Sequence, residues 1–121
     1  MFEPSAVVLY VENLEISSKF YQELFEIEPV EQSPAFHSFT LSNGMSIGLK
    51  AMHTVTPPVN KNGSGELVFI VDNNQKVDDL WLTWQKQEIT ILCPVAQEKY
   101  GYTFLAQDPD GNRLRVVSLE K

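Results

Sequence analysis

Two turns of one kind, each joining two short apolar runs, constrain this chain more than any other feature. One is Asp108-Pro109-Asp110-Gly111-Asn112, between residues 102–106 and 113–117; the other is Ser42-Asn43-Gly44-Met45. Pro109 presets φ, Gly111 accepts positive φ, and the Asp and Asn side chains can hydrogen-bond the turn backbone. Either turn alone signals only a hairpin. Together they point to a module written twice.

The segments upstream of the turns agree. Residues 7–11 form a β-branched run ending at Glu12-Asn13, and residues 67–71 form another ending at Asp72-Asn73. A helical pattern follows each. Ile16, Phe20 and Leu24 recur every four residues, with Tyr21 and Phe25 beside them; Val77, Leu80, Trp81 and Trp84 fall at i, i+3, i+4 and i+7. That stripe predicts core packing for both tryptophans. Asn13 and Asn73 are the expected N-caps. Three extended runs follow each helix, roughly 28–32, 36–41 and 45–51, then 90–96, 102–106 and 113–119. The expected organisation is therefore an α+β fold of two βαβββ modules. The first spans residues 1–53, the second 66–121, and a linker rich in Pro, Asn, Gly and Ser spans 54–65, within one domain overall.

Composition removes several function classes. A formal net charge of −7, with the nine Lys and Arg residues scattered, argues against nucleic acid as a partner, since phosphate binding needs clustered cations. The single cysteine, Cys93, cannot form an intramolecular disulfide or a zinc framework, and within its apolar run it reads as a small buried hydrophobe. The first residues carry no basic segment leading into an apolar one, and no apolar run approaches about 18 residues. The expectation is a cytoplasmic protein with no membrane partner.

The order βαβββ–βαβββ resembles the vicinal oxygen chelate superfamily, which includes glyoxalase I, extradiol dioxygenases and bleomycin-resistance proteins. The residues that carry the likeness are Val11-Glu12-Asn13-Leu14-Glu15 leading into Phe20-Tyr21, and Phe104 through Asn112. Within that superfamily the chain is similar to the phenazine antibiotic resistance proteins, through Leu9-Tyr10-Val11, Glu28-Pro29-Val30, Thr103-Phe104-Leu105 and Arg115 after the turn. The resemblance implies modules that curl into a cup-shaped open barrel, a homodimer that shares modules, and a ligand held in the cup.

It also implies where a metal would sit. The superfamily's enzymes draw one ligand from the first and one from the last strand of each module. Those positions here are Ala6, Gly48, Glu66 and Arg115. Only Glu66 has a donor for a metal; Ala and Gly have none, and arginine is a permanent cation. No metal and no other cofactor is expected. His37 and His53 lack partners at ligand spacing, and His53 reads as a loop histidine.

Side chains alternate across a strand, so those four positions select a face. Val8, Tyr10, Val68 and Ile70 join them. Hairpin pairing that sets Phe39 opposite Gly48, His37 opposite Lys50, Phe104 opposite Arg115 and Tyr102 opposite Val117 completes the cup. Its expected ligand-binding residues are Tyr10, His37, Phe39, Gly48, Glu66, Tyr102, Phe104 and Arg115, with Tyr100 on the rim. Glu66 and Arg115 either meet a ligand or pair with each other. Aromatic walls with few polar groups suit a small planar aromatic compound, such as an antibiotic, held without chemistry. A glyoxalase-like or dioxygenase-like enzyme with relocated ligands is the alternative. An interaction or sensor protein with a filled cup is the third.

Overall fold

A computed structural model describes residues 3–59 and 65–120. The chain divides into two compact units, Met1–Gly63 and Ser64–Lys121. Each has the same order of elements. The first contains β1 (Ala6–Val11), α1 (Leu14–Phe25), β2 (Glu31–Gln32), β3 (Phe36–Thr40) and β4 (Ser46–Ala51), then a 3-10 turn at Met52–Thr54. The second contains β5 (Glu66–Val71), α2 (Asn74–Lys86), β6 (Thr90–Glu98), β7 (Gly101–Gln107) and β8 (Arg113–Ser118). The sheets run β1-β4-β3-β2 and β5-β8-β7-β6, so in each unit the first strand lies beside the last. That contact is parallel and the rest are antiparallel. The fold is α+β, as the repeated pattern predicts. Of the expected linker, residues 60–64 lie outside the described residues.

Both helices start where their caps predict. Asn13 Oδ1 accepts from the Ile16 amide at 3.0 Å, and Asn73 Oδ1 accepts from the Lys76 amide at 2.9 Å, which satisfies one otherwise unpaired N–H in each first turn. Each helix covers one face of its own sheet. In the first unit Leu9, Val11, Leu14, Tyr21, Phe39, Ile47 and Leu49 are buried, with Phe25 edge-on to Phe39 at 5.7 Å between ring centroids. In the second, Trp84 sets its ring edge-on to both Phe69 (5.8 Å) and Phe104 (5.3 Å), above buried Val77, Leu114 and Val116. The core expectation thus holds for Trp84; Trp81 is half-buried. Cys93 departs from expectation and is exposed. It lies on β6, an edge strand, between two interruptions of the pairing with β7, where the strand lifts out of regular register. No helix among the described residues is long and apolar enough to cross a membrane.

The two hairpins share one geometry. The Leu41 amide donates to the Met45 carbonyl at 2.8 Å, and the Asp108 amide donates to the Asn112 carbonyl at 2.9 Å. Three residues therefore sit in each loop, and the last of them, Gly44 or Gly111, has φ of 90° or 88°. A three-residue loop ending in a left-handed residue is a common hairpin solution, and glycine reaches that conformation without steric cost. The second loop is further tied down. Buried Asp108 accepts from the Asp110 amide (2.9 Å) and the Asn112 amide (2.8 Å) through Oδ1, and from Asn112 Nδ2 (2.9 Å) through Oδ2. Asn112 Oδ1 in turn accepts from the Gly65 amide at 3.0 Å, which pins the start of β5 to the β7–β8 hairpin. Asp108→Ala leaves those donors without partners and should lower stability by about 1–3 kcal/mol in urea denaturation, with the Asn112 and Gly65 amides exchanging faster. An unchanged midpoint would contradict this role for the turn.

Candidate functional site

One helix cannot cover both faces of a sheet, so each unit has a helix-free face. In the first sheet it carries Ala6, Val8 and Tyr10 from β1, Ser46, Gly48 and Lys50 from β4, and Phe36 and Ser38 from β3, by the observed register. In the second it carries Glu66, Val68 and Ile70 from β5, Arg113, Arg115 and Val117 from β8, and Thr103 and Leu105 from β7. Val8, Tyr10, Val68 and Ile70 are exposed, an unusual density of apolar side chains for water-facing strands.

The first-strand residues, Gly48, Glu66 and Arg115 thus lie where strand alternation places them. The hairpin partners do not. With three loop residues, Phe39 faces Ile47 and His37 faces Leu49, while Phe104 faces Val116 and Tyr102 faces Ser118. The expected pairing was one residue out of step, and a one-residue slip moves a side chain to the other side of the sheet. All four turn toward the helices. Phe39 and Phe104 are core residues. His37 Nδ1 lies 2.6 Å from Ser18 Oγ on α1. The Tyr102 hydroxyl donates to Asp78 Oδ1 on α2 at 2.6 Å; that hydrogen bond, then burial, then the carboxylate's charge push the phenol above its usual range. In their place the helix-free faces receive half-buried Phe36 and buried Thr103 and Leu105, which the sequence reading missed. The positive-φ demand of Gly44 and Gly111 was the signal that could have found them.

Arg115 is the best-built polar group on the second open face. Its Nε donates to Glu66 Oε2 at 3.3 Å, and its Nη1 donates to the Tyr100 hydroxyl at 2.7 Å and to Thr103 Oγ1 at 3.4 Å. The guanidinium carbon sits 5.6 Å from the centre of the Tyr100 ring, within cation–π range. Tyr100 itself is exposed, in the turn just before β7. Side-chain exposures of 21% for Arg115 and 38% for Glu66 make the ion pair a semi-exposed one, of modest energy and able to open. His53 lies exposed in the 3-10 turn.

The sequence profile of the glyoxalase/bleomycin resistance protein/dioxygenase superfamily matches residues 4–116. The chain belongs to that superfamily. It is 30% identical over 120 residues to the phenazine antibiotic resistance protein EhpR of Enterobacter agglomerans, covering 97% of this chain and 92% of that one. It is 34% identical over 114 residues to a trivalent organoarsenical cleaving enzyme of Bacillus sp. (strain MD1), covering 88% of this chain but only 66% of the enzyme's length. Among solved structures, protein ATC0852 of Agrobacterium tumefaciens aligns over the whole of both chains at 40% identity with a TM-score of 0.88. A glyoxalase-related enzyme of Fulvimarina pelagi shares the fold at a TM-score of 0.83 and 22% identity, covering 98% of this chain and 88% of that one.

The superfamily's metal centre does not fit these residues. Ala6 and Gly48 have no donor atom. Arg115 brings a fixed positive charge, and the remaining carboxylate, Glu66, is already its partner. A zinc or iron site needs about three protein ligands. Among the described residues no group of three or more His, Cys, Asp or Glu could hold a metal.

The register assigns Phe104 to the core. Phe104→Ala should therefore cost about 3–5 kcal/mol in thermal or denaturant unfolding, the usual range for such a truncation. A change that altered ligand affinity while leaving stability intact would return Phe104 to the open face.

Proposed function

We propose that the protein binds a small planar aromatic compound, such as an antibiotic of the phenazine class, on its helix-free sheet faces and sequesters it without a metal. The observation that carries this reading is the Arg115–Glu66 pair at two of the four positions the superfamily gives to metal ligands. A guanidinium braced by Tyr100, Thr103 and Glu66 offers a flat, charged surface in place of a Lewis acid. On the first unit's face exposed Tyr10 and Val8 supply a ring and apolar area, and on the second unit's face exposed Tyr100, Val68 and Ile70 do the same. The kinship with EhpR, named as a phenazine resistance protein, supports the ligand class. Sequestration requires affinity and no turnover, so a face stripped of metal donors meets it. The protein acts in this reading as a two-fold homodimer in the cytoplasm.

A second reading is catalytic, with metal ligands at other positions. The 34% identity to an organoarsenical cleaving enzyme favours it. Two measurements separate the readings. Elemental analysis after growth with zinc, manganese, iron and nickel should give well under one metal per chain. Calorimetric titration with phenazine should give the same affinity before and after dialysis against EDTA, and Tyr100→Ala should weaken it by about 1–3 kcal/mol, the worth of one stacked aromatic. Stoichiometric metal, or binding that EDTA abolishes, would contradict sequestration and favour the enzyme.

The dimer is tested by light scattering at micromolar concentrations. A mass of two chains is expected, with an interface above about 1,000 Å². A monomer mass throughout would overturn it.

A further inference from the structure

On the first sheet's open face the strands line up Tyr10, Lys50 and Phe36 side by side, because Tyr10 pairs with Lys50 across β1–β4 and Lys50 with Phe36 across β4–β3. The row is one lysine between two aromatic residues. The Phe36 ring leans over the neighbouring row. A Cβ built on Gly48 would come within 2.7 Å of Phe36 Cζ, 2.8 Å of Cε1 and 3.3 Å of Val8 Cγ2. The ring therefore lies against bare backbone, with Val8 beside it, and any side chain at position 48 would displace it. Phe36 is half-buried, so part of the ring still meets solvent.

Lys50 is also half-buried, on a chain of net charge −7. Yet among the described residues it has no carboxylate within ion-pair distance, unlike Lys76 with Asp72 or Arg115 with Glu66. A lysine without an ion-pair partner on an aromatic row favours the approach of an anion. The ring on Gly48 favours a flat partner.

We infer that this row is an anion-reading aromatic platform: the ligand's ring stacks on Phe36, and a carboxylate or phenolate on its edge meets Lys50. The platform selects aromatic acids over their neutral analogues. It rests on the aromatic-binding reading above and adds to it a ligand charge.

The test titrates phenazine-1-carboxylate and neutral phenazine-1-carboxamide into the native protein, Lys50→Met and Gly48→Ala by calorimetry. The native protein should prefer the acid. Lys50→Met should weaken the acid by about tenfold, the scale of one charge-assisted hydrogen bond, and leave the amide nearly unchanged. Gly48→Ala, which moves the Phe36 ring, should weaken both probes alike. Thermal denaturation of each variant separates these losses from unfolding. Equal affinity of the native protein for the two probes, or equal losses on Lys50→Met, would overturn the platform while leaving aromatic binding in place. Binding of neither probe would sink both readings. A Lys50→Met protein that changes its association state at unchanged affinity would make the row a subunit contact and also overturn the inference.

Discussion

One helix for each four-stranded sheet is the constraint on which the rest depends. A sheet has two faces, and α1 or α2 buries only one of them. Strand alternation then sorts most residues: Leu9, Val11, Phe39, Phe104, Leu114 and Val116 go into the core, while Val8, Tyr10, Val68 and Ile70 stay in water; Thr103, Leu105 and Val117 are buried on the helix-free side of the second sheet. Burying an aromatic or branched side chain yields about 1.5–3 kcal/mol, so the core faces carry the stability. The exposed faces forgo that gain. Apolar strands left open in this way make sense as a surface that a ligand or a second subunit covers.

In the proposed binding role, the polar residues on those faces decide what kind of ligand fits. A metal site gathers anionic or neutral donors around a cation. Here the protein supplies the cations itself. Arg115 is held by Glu66, Tyr100 and Thr103, and Lys50 stands between Tyr10 and Phe36. The Arg115–Glu66 pair is semi-exposed, so separating it costs little, on the order of 1 kcal/mol or less. A ligand that offers its own carboxylate could replace Glu66 at small expense. A divalent metal would have to approach a fixed guanidinium, with no second carboxylate among the inherited positions to offset the repulsion.

Much of this was legible in the sequence, and most of the rest was lost at the hairpin register. The repeated strand ends and the Asn13 and Asn73 caps rest on local chemistry, and each sits where the residues indicate, whereas α1 buries Leu14, Ser17, Ser18 and Tyr21 and leaves Ile16 of its expected stripe exposed. Strand parity was legible too, which placed Ala6, Tyr10, Glu66 and Arg115 on the helix-free faces. Hairpin register was harder, because it depends on how many residues a loop holds. Gly44 and Gly111 at positive φ make both loops three residues long, and that single residue moved His37, Phe39, Tyr102 and Phe104 to the helix side. The same step brought Phe36 onto Gly48. The exposure of Cys93 was out of reach of any periodicity, since it follows from irregular pairing at a sheet edge.

The central claim is that ligand binds on the helix-free faces, and methyl NMR tests it most directly. Aromatic ring currents shift nearby methyl resonances strongly, and the two sides of each sheet carry separate reporters. On titration with phenazine, the methyls of Val8, Val68 and Ile70 should shift in a saturable way, while those of Leu49, Val77, Leu114 and Val116 in the cores stay nearly fixed. Shifts confined to the core methyls, or none at saturating phenazine, would contradict the account.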